Sequence, residues 1–251
     1  MIMGTELDIH NRSRLLLGDE NMERLKNAKV IVFGVGGVGS WCVESLVRTG
    51  VTNITIVDSD RVSDSNINRQ LMATTETVGR VKVEALKEYL LRINPDANID
   101  AREEVFTVET ADRFDLDSYD YIIDAIDSLK DKMLLIEMAT ATKAKFYSSM
   151  GAALKLDPTR IRVAEFWKVT GCPLARALRQ RFKKQKRYPK RKFLCVYSDE
   201  LLANKGEAPT ERTGRDLYKA SINGSLQHIT AIFGLTLAGL LIRDVASIKQ
   251  S

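Results

Sequence analysis

The amino-acid sequence predicts an α/β protein with a Rossmann-like, mostly parallel sheet, flanking helices and a smaller C-terminal extension. Three successive segments carry this prediction. Residues 29–34 form an apolar run that ends in glycine, residues 40–49 have the spacing of an amphipathic helix, and residues 53–58 form a second apolar run closed by an acid. A strand, a helix and a strand within about thirty residues make the βαβ unit from which doubly wound sheets are built.

The same alternation continues along the chain. Predicted helices cover residues 81–93 and 129–142, and predicted strands cover residues 98–105, 121–125 and 146–150. The pattern weakens after Pro158, where we expect strands at 161–166 and 190–198 and a basic helix at 174–184. The chain therefore divides near residue 158 into a regular α/β segment and a less regular one.

Residues 229–242 contain no charged side chain. A membrane-spanning helix needs ~20 apolar residues, so this shorter run predicts a helix buried in the core, and we expect no stable membrane insertion. Gly234 and Gly239 are expected to let that helix pack closely on a neighbour. The first ten residues carry acids and no apolar run, so we expect no secretory signal peptide.

The positive charge of the chain is concentrated in one segment. The formal net charge is +5, from 38 basic and 33 acidic residues. Residues 176–192 hold ten Lys and Arg and no acid, which leaves 28 bases against 33 acids elsewhere. A local excess of this kind predicts a localised anionic partner rather than a generally adhesive surface.

Cysteine and histidine usage excludes several kinds of site. The three cysteines, Cys42, Cys172 and Cys195, are far apart and form no CxxC pair, so this chain holds no four-cysteine zinc site. Their odd number and wide spacing indicate buried thiols in a reducing cytoplasm. With only His10 and His228, there are few candidates for a histidine base or a metal site with two histidines.

A glycine-rich turn lies between the first predicted strand and helix. Gly34, Gly36, Gly37 and Gly39 form a GxGxxG pattern, which brings backbone N–H groups at a helix start against phosphate. Asp58 ends the next strand, where a carboxylate can accept hydrogen bonds from a ribose. These features predict an adenosine nucleotide and do not separate ATP from NAD.

Polar residues further along the chain favour a triphosphate. They follow predicted strands or open predicted helices, at the edge of the sheet where ligands bind; they are Asp60, Asn66, Arg69, Lys82 and Asp127. A nucleoside triphosphate needs several cations and an acid that holds Mg²⁺. Arg69 and Lys82 supply the cations and Asp127 the acid, although each taken singly is more often a solvated surface charge.

Five motifs in order resemble the adenylating core of the ThiF/MoeB/HesA family, which is related to ubiquitin-activating enzymes. They lie at residues 34–39, 58–60, 65–70, 79–82 and 124–128. The resemblance implies ATP and Mg²⁺ as cofactors. It implies that Gly37 contacts the nucleotide, that Asp58 binds the ribose, and that Asp127 coordinates the metal.

The remaining implied roles concern phosphates and assembly. By the same resemblance, Asn66, Arg69 and Lys82 hold the phosphates, with Asp60 and Gln70 in the same nucleotide-binding motifs. Arg12 resembles an arginine that dimers of this family insert into the partner subunit's ATP site. The resemblance thus implies a homodimer in which Arg12, Arg69, Lys82 and Asp127 are catalytic.

Motifs in the second half resemble the branch of this family that cyclises threonylcarbamoyladenosine in tRNA. They lie at residues 149–152, 156–159, 172–176 and 196–198. The implied reaction adenylates the threonyl carboxylate and closes a ring with loss of water, releasing AMP and pyrophosphate. On this reading residues 1–158 are the ATP-binding adenylation core. Residues 159–251 supply a basic substrate-binding segment and an apolar helix packed on the core.

Three alternatives stay open. The nearest is adenylation of the C-terminus of a ubiquitin-like sulfur-carrier protein, against which the missing CxxC pairs count; a sulfur-transfer partner is likewise open. The others are an NAD-dependent oxidoreductase and a non-catalytic nucleotide-binding module. The segment 198–224 is expected to carry a shorter insertion than some members of the branch have.

The basic segment is the predicted tRNA contact. Its candidate phosphate-binding residues are Arg179, Lys183, Lys184, Lys186 and Arg187. Phe182 and Tyr188 are interleaved with them, and exposed aromatic rings can stack on unpaired bases. The alternative is a basic helix that is merely solvated.

Overall fold

The computed structural model describes residues 8–207 and 222–246. Most of the segment 198–224, including the place of the expected short insertion, lies outside the described residues.

A seven-stranded sheet in the order β3-β2-β1-β4-β5-β7-β6 forms the centre of the molecule. Its strands are β1 Lys29–Phe33, β2 Asn53–Val57, β3 Asn98–Arg102, β4 Tyr121–Asp124, β5 Lys145–Ser149, β6 Ile161–Glu165 and β7 Leu194–Ser198. Five neighbouring pairs are parallel, and only β6 runs antiparallel to β7. The predicted mostly parallel α/β fold is therefore confirmed.

Seven helices flank the sheet within the described residues. They are α1 Asn11–Leu17, α2 Asp19–Asn27, α3 Gly39–Thr49, α4 Lys82–Ile93, α5 Leu129–Ala141, α6 Pro173–Gln185 and α7 Gln227–Val245. The helices predicted from periodicity are all present, with ends that differ by a few residues. α1 and α2 were not assigned from the sequence.

Two predicted strands are shorter by three or four residues in the structure. The strand predicted at 190–198 begins only at Leu194, because the chain before it is bound to the end of α5. Lys190 N–H donates to Thr140 Oγ1, and the Arg191 guanidinium donates to the carbonyls of Ala139, Thr142 and Ala144. The strand predicted at 98–105 ends at Arg102, where a turn begins.

The two faces of the sheet are covered by different helices. Alternate residues of β1 point to opposite faces, so Val30 and Val32 belong to one hydrophobic cluster and Ile31 and Phe33 to the other. α2, α3, α4 and α7 contribute to the first cluster, and α5 and α6 to the second. Strands β6 and β7, which follow residue 158, belong to the same sheet as the earlier strands. The division near residue 158 therefore does not separate two sheets. That residues 1–158 bind ATP and residues 159–251 bind the other substrate stays a prediction.

Helix α7 is a core helix, as predicted, and is longer than the uncharged run. It has 19 residues and is long and apolar enough to cross a membrane by length and composition alone. However, Phe233, Leu237 and Leu241 are fully buried in the first cluster. The prediction of close packing holds at Gly234, where a Cβ would overlap the Val38 carbonyl oxygen of α3's N-cap, and is wrong at Gly239, where a Cβ would meet open space.

Candidate active site

The glycine turn lies where the chain order of the sheet reverses. From β1 the chain passes to β2 and β3 on one side, whereas β4 and β5 lie on the other. The crevice at the carboxyl ends of strands at such a point is the usual ligand site of open α/β sheets. Gly34 follows β1, and Asp124 ends the neighbouring β4.

Two of the glycines are required by backbone geometry. Gly34 has φ +84°, and a Cβ there would lie 2.8 Å from the Ala125 carbonyl oxygen. A Cβ at Gly39 would overlap the Gly34 carbonyl oxygen. Only glycine permits this turn and the close approach of the loop that follows β4.

Gly36 and Gly37 lie between the 65–70 segment and the start of α7. A Cβ at Gly37 would lie 3.3 Å from both Arg69 Cγ and the Thr230 side chain, and one at Gly36 would lie 3.7 Å from Gln70 Nε2. Gln70 is buried, and its Oε1 has no hydrogen-bond partner among the described residues. A buried acceptor without a donor beside a glycine turn suits a bound ligand that supplies the donor.

Asp58 connects the glycine turn to β2. Its Oδ2 accepts from Val35 N–H at 2.9 Å and its Oδ1 from Asp60 N–H at 2.9 Å. The residue is 8% exposed. The carboxylate therefore has a fixed orientation, and each oxygen keeps a second lone pair that can accept from a ribose hydroxyl.

Lys82 and Asp60 form an ion pair at the same edge. Lys82 Nζ lies 3.0 Å from Asp60 Oδ2, and Lys82 N–H donates to the Asp60 carbonyl. The Lys82 side chain is 6% exposed. This pairing, which the sequence did not predict, holds the ammonium group at the start of α4 in a defined place.

Asn66 and Arg69 are held by the local fold of their segment. A short 3₁₀ turn covers Asp64–Asn66, and Asn66 Oδ1 accepts from Ser63 N–H. Arg69 donates to the Ser65 carbonyl at 2.7 Å, while its own carbonyl accepts from Trp41 Nε1 of α3. The segment is thereby attached to the helix that begins at the glycine turn.

Asp127 lies in the loop between β4 and α5 and is exposed. The N-cap of α5 is Ser128, whose Oγ accepts from Asp131 N–H. Ser128 is therefore the N-cap residue of α5, and Asp127 follows β4 at the carboxyl edge of the sheet, where the predicted phosphates would bind.

A buried charge pair beneath this loop was not predicted. Lys132 Nζ lies 2.7 Å from Asp124 Oδ2, and neither side chain is exposed. A signal was present in the sequence, because Lys132 has helical spacing with the apolar residues Leu135, Ile136 and Ala139, all buried in the second cluster. A lysine on the apolar stripe of a helix indicates a buried partner.

The three cysteines do not form a nucleophilic centre. All are free and buried. Burial raises the pKa of the Cys42 thiol and that of the Cys195 thiol above the usual value, although the nearby Lys132 charge opposes the rise at Cys195. A thiol held protonated is a poor nucleophile.

Arg12 is not brought to the glycine turn of its own chain. α1 lies near the end of α3, where His10 Nε2 is 3.2 Å from the Val47 carbonyl oxygen. α3 starts at the glycine turn and has 11 residues, so its two ends are ~16 Å apart. Arg12 is exposed on α1, beside Leu15 and Leu16, which are 76% and 84% exposed.

The basic segment ends at the opposite edge of the sheet from the glycine turn. α6 begins near Asp199, just after β7, and its 13 residues extend ~20 Å. Its last turn reaches the end of α5, where Arg187 pairs with Glu137. Lys183, Lys184 and Lys186 are exposed there.

Two parts of the basic-segment prediction need correction. Phe182 cannot stack on RNA bases, because it is fully buried on the apolar face of α6. Tyr188 is exposed, and its ring neighbour is Trp167, with the centroids 6.2 Å apart. The Arg179 guanidinium is in part bound within the protein, since it donates to the Phe166 carbonyl at 3.0 Å, and has fewer N–H groups left for a phosphate.

Comparison with known families and proteins gives a consistent assignment. The profile of the ThiF family matches residues 10–250. The tRNA threonylcarbamoyladenosine dehydratase of Bacillus subtilis (strain 168) is 36% identical over 239 residues, covering 94% of this chain and 93% of that protein. A sulfur carrier protein adenylyltransferase of Thermus thermophilus is 38% identical, over only 53% of this chain and 50% of its own length.

The chain also shares its fold with a solved structure of an enzyme that has the same name as the B. subtilis relative. The crystal structure of E. coli tRNA N6-threonylcarbamoyladenosine dehydratase, TcdA, in complex with ATP has a TM-score of 0.84 and 30% sequence identity. It covers 98% of this chain and 97% of its own.

Proposed function

Because the chain belongs to the ThiF family, we propose that it uses ATP to adenylate the threonyl carboxylate of threonylcarbamoyladenosine in tRNA and then closes the ring. The observation that carries the proposal is the geometry of the reversal point in the sheet. Three features lie together at the carboxyl edge of the sheet there: the glycine turn, the Lys82 ammonium group held by Asp60, and the loop that contains Asp127. The B. subtilis relative and the E. coli structure, which both match nearly the whole chain, carry the name of a dehydratase of this nucleoside.

The chemistry requires activation of a carboxylate. A carboxylate oxygen attacks the α-phosphorus of ATP and expels pyrophosphate, which converts that oxygen into part of an AMP leaving group. The neighbouring carbamoyl group then attacks the activated carbonyl, loses a proton, and AMP departs. The net change is loss of one water from the nucleoside. No covalent enzyme intermediate is needed, which agrees with the buried cysteines.

The residues of this chain act mainly by binding and orienting. Glycine-turn N–H groups and the cations Arg69 and Lys82 offset the negative charge of the phosphates as pyrophosphate leaves. Asp58 orients the ribose through a carboxylate that two backbone N–H groups, one on each oxygen, keep in place. The ion pair with Asp60 holds the Lys82 ammonium group in position before ATP binds.

Mg²⁺ fits the donor atoms at this edge. It usually binds through one or two carboxylates together with phosphates and waters. Among the described residues no group of three or more His, Cys, Asp or Glu could hold a metal alone. Asp127 would share the ion with the phosphates of ATP. When bound, the ion polarises the phosphate oxygens and neutralises developing charge.

The site is proposed to be completed across a homodimer. Arg12 lies near the far end of α3 from its own glycine turn, which is beyond the reach of one side chain. Two strongly exposed leucines beside it, Leu15 and Leu16, provide an apolar surface of the kind that subunit contacts cover. Arg12 thus acts in the partner's ATP site.

The substrate is proposed to contact the basic segment through its backbone. Lys183, Lys184 and Lys186 are exposed and close in sequence. They lie ~20 Å from the carboxyl edge, the length of α6, and a tRNA extends well beyond that distance. Phosphates can therefore bind at one edge of the sheet while the modified base is held at the other. We also propose a cytoplasmic location, because a tRNA substrate is available there.

The reaction is tested with tRNA that carries threonylcarbamoyladenosine. Purified protein with ATP and Mg²⁺ should form AMP and pyrophosphate, and mass spectrometry of the nucleosides should show loss of one water from the modified adenosine. Nucleotide binding without AMP formation would support the alternative of a non-catalytic nucleotide-binding module. AMP formation only with a ubiquitin-like carrier would instead support the sulfur-carrier alternative.

The tRNA contact is tested by salt dependence. Changing Lys183, Lys184 and Lys186 to Ala should weaken tRNA binding and flatten the slope of log affinity against log salt by about two units, at ~0.7–0.9 per phosphate. The matched control removes three charges from the opposite face of the sheet, at Lys26, Lys87 and Arg92. Equal slopes for the two triple variants would mean that the basic segment is only solvated.

A further inference from the structure

The ion pair of Asp124 and Lys132 is fully buried and is not used in any step above. Lys132 Nζ lies 2.7 Å from Asp124 Oδ2, with both side chains 0% exposed. Removing two charges from water costs several kcal/mol per ion, and apolar residues of similar volume are often as stable or more so. A pair in this position therefore indicates a requirement other than stability.

The pair holds the backbone immediately before Asp127. Ile126 N–H donates to Asp124 Oδ1 at 3.0 Å, and the Ile126 carbonyl accepts from Lys132 Nζ at 3.0 Å. Ser148 Oγ of β5 donates to Asp124 Oδ2 at 2.6 Å. Both polar backbone groups of Ile126 are thus bound by the two charged side chains.

The same loop lies against the glycine turn. Ala125 N–H donates to the Phe33 carbonyl at 2.8 Å, and Gly34 leaves no room for a Cβ beside the Ala125 carbonyl. The loop is therefore enclosed between the nucleotide-binding turn on one side and the buried pair on the other. Asp127 is the next residue along the chain.

We propose that Asp124 and Lys132 are positioning residues, which hold the Asp127 carboxylate in the place where it binds the divalent cation of Mg-ATP. The inference rests on the proposed function only in taking Asp127 as the metal ligand. Removing the pair should release the loop, so that metal binding then has to order it. The affinity for the nucleotide without metal should not change.

The test compares ATP affinity with saturating Mg²⁺ and with EDTA, so that neither tRNA nor turnover is involved. Asp124→Asn/Lys132→Met removes both charges together and leaves none unpaired. In the wild-type protein Mg²⁺ should tighten ATP binding. In the double variant this tightening should fall by about 10- to 100-fold, the range for residues that orient metal ligands, while the affinity in EDTA stays at the wild-type value.

Two control variants separate positioning from stability. Ile136→Val removes one methyl group from a fully buried neighbour on α5 and costs ~0.5–1.5 kcal/mol of stability. Ser148→Ala removes one hydrogen bond to Asp124 and leaves Ile126 held. Both should retain the wild-type ratio of the two affinities. If the charge-free double variant also retains it, the pair is only structural and the proposal is wrong.

Two further variants cover the remaining outcomes. If Asp124→Asn/Lys132→Met does not fold, Asp124→Asn/Lys132→Gln replaces it, because its amide groups can still form hydrogen bonds. This variant should lose part of the tightening of ATP binding by Mg²⁺. An unchanged ratio of the ATP affinities with Mg²⁺ and with EDTA would also overturn the proposal. Adding Asp127→Ala to either double variant should give the same loss as Asp127→Ala alone, whereas additive losses would place the effect elsewhere. If Mg²⁺ does not tighten ATP binding in the wild-type protein, the metal role of Asp127 itself fails.

Discussion

Substitution of Gly234 by Ala is expected to separate α7 from α3 and destabilise the protein. The added Cβ would lie 2.9 Å from the backbone nitrogen of Cys42 and 3.1 Å from Trp41 Cβ, and it would overlap the Val38 carbonyl oxygen. Backbone atoms cannot rotate aside, so α7 must shift as a unit. Overpacking of this kind costs ~1–3 kcal/mol, and the rigid obstacle here favours the upper end.

Gly239→Ala is the matched control in the same helix. A Cβ at Gly239 meets nothing within 4 Å, and alanine favours a helix over glycine by ~1 kcal/mol. That gain applies to both variants, so the difference between their free energies of unfolding is the packing cost at Gly234, ~3 kcal/mol. At about 2–4 °C per kcal/mol for a chain of this size, the two melting temperatures should differ by roughly 6–12 °C.

The assay is thermal unfolding followed by circular dichroism, with ATP affinity measured in parallel. Thr230, on the first turn of α7, lies against Gly37 in the glycine turn, where we propose that ATP binds. A shift of α7 should therefore weaken ATP binding by the Gly234 variant and leave the Gly239 variant unaffected. Equal melting temperatures for the two variants would refute the claim that α7 packs on α3 through Gly234.

The remaining predictions concern the site. Asp127→Ala should keep the fold and reduce AMP formation by orders of magnitude, whereas Ser128→Ala removes the helix cap, at ~1 kcal/mol of stability, without loss of activity; equal AMP formation by both would exclude a metal role for Asp127. Inactive Arg12→Ala and inactive Lys82→Met subunits should regain activity when mixed, because one site of the heterodimer then holds both native residues. A mixed dimer that forms and stays inactive would exclude a role across the interface.

The parts of this protein that sequence predicts are those determined by local patterns. The apolar runs before Gly34 and Asp58 are strands, and the glycine spacing marks the turn between them, because both depend on residues close together in the chain. Asp127 follows its strand for the same reason. The ends of elements are less certain, since the strand before Ser198 is shortened by contacts with α5.

Residues of the same type have different roles because long-range contacts differ. Phe182 and Tyr188 have similar neighbours in sequence, yet one ring is buried under α6 and the other is exposed. Gly234 lies against another helix and Gly239 lies in open space. Composition and periodicity do not contain that information, since it depends on which element lies opposite.

The sequence by itself determined the doubly wound fold, the glycine turn and the acidic and basic residues that follow the strands. Only the tertiary structure decided the ion pairs of Lys82 with Asp60 and of Lys132 with Asp124, and the position of the basic segment at the edge opposite the glycine turn. The physical reason is that a strand or turn is specified by neighbours in the chain. An ion pair or a surface, in contrast, is formed by side chains that packing brings together from distant positions.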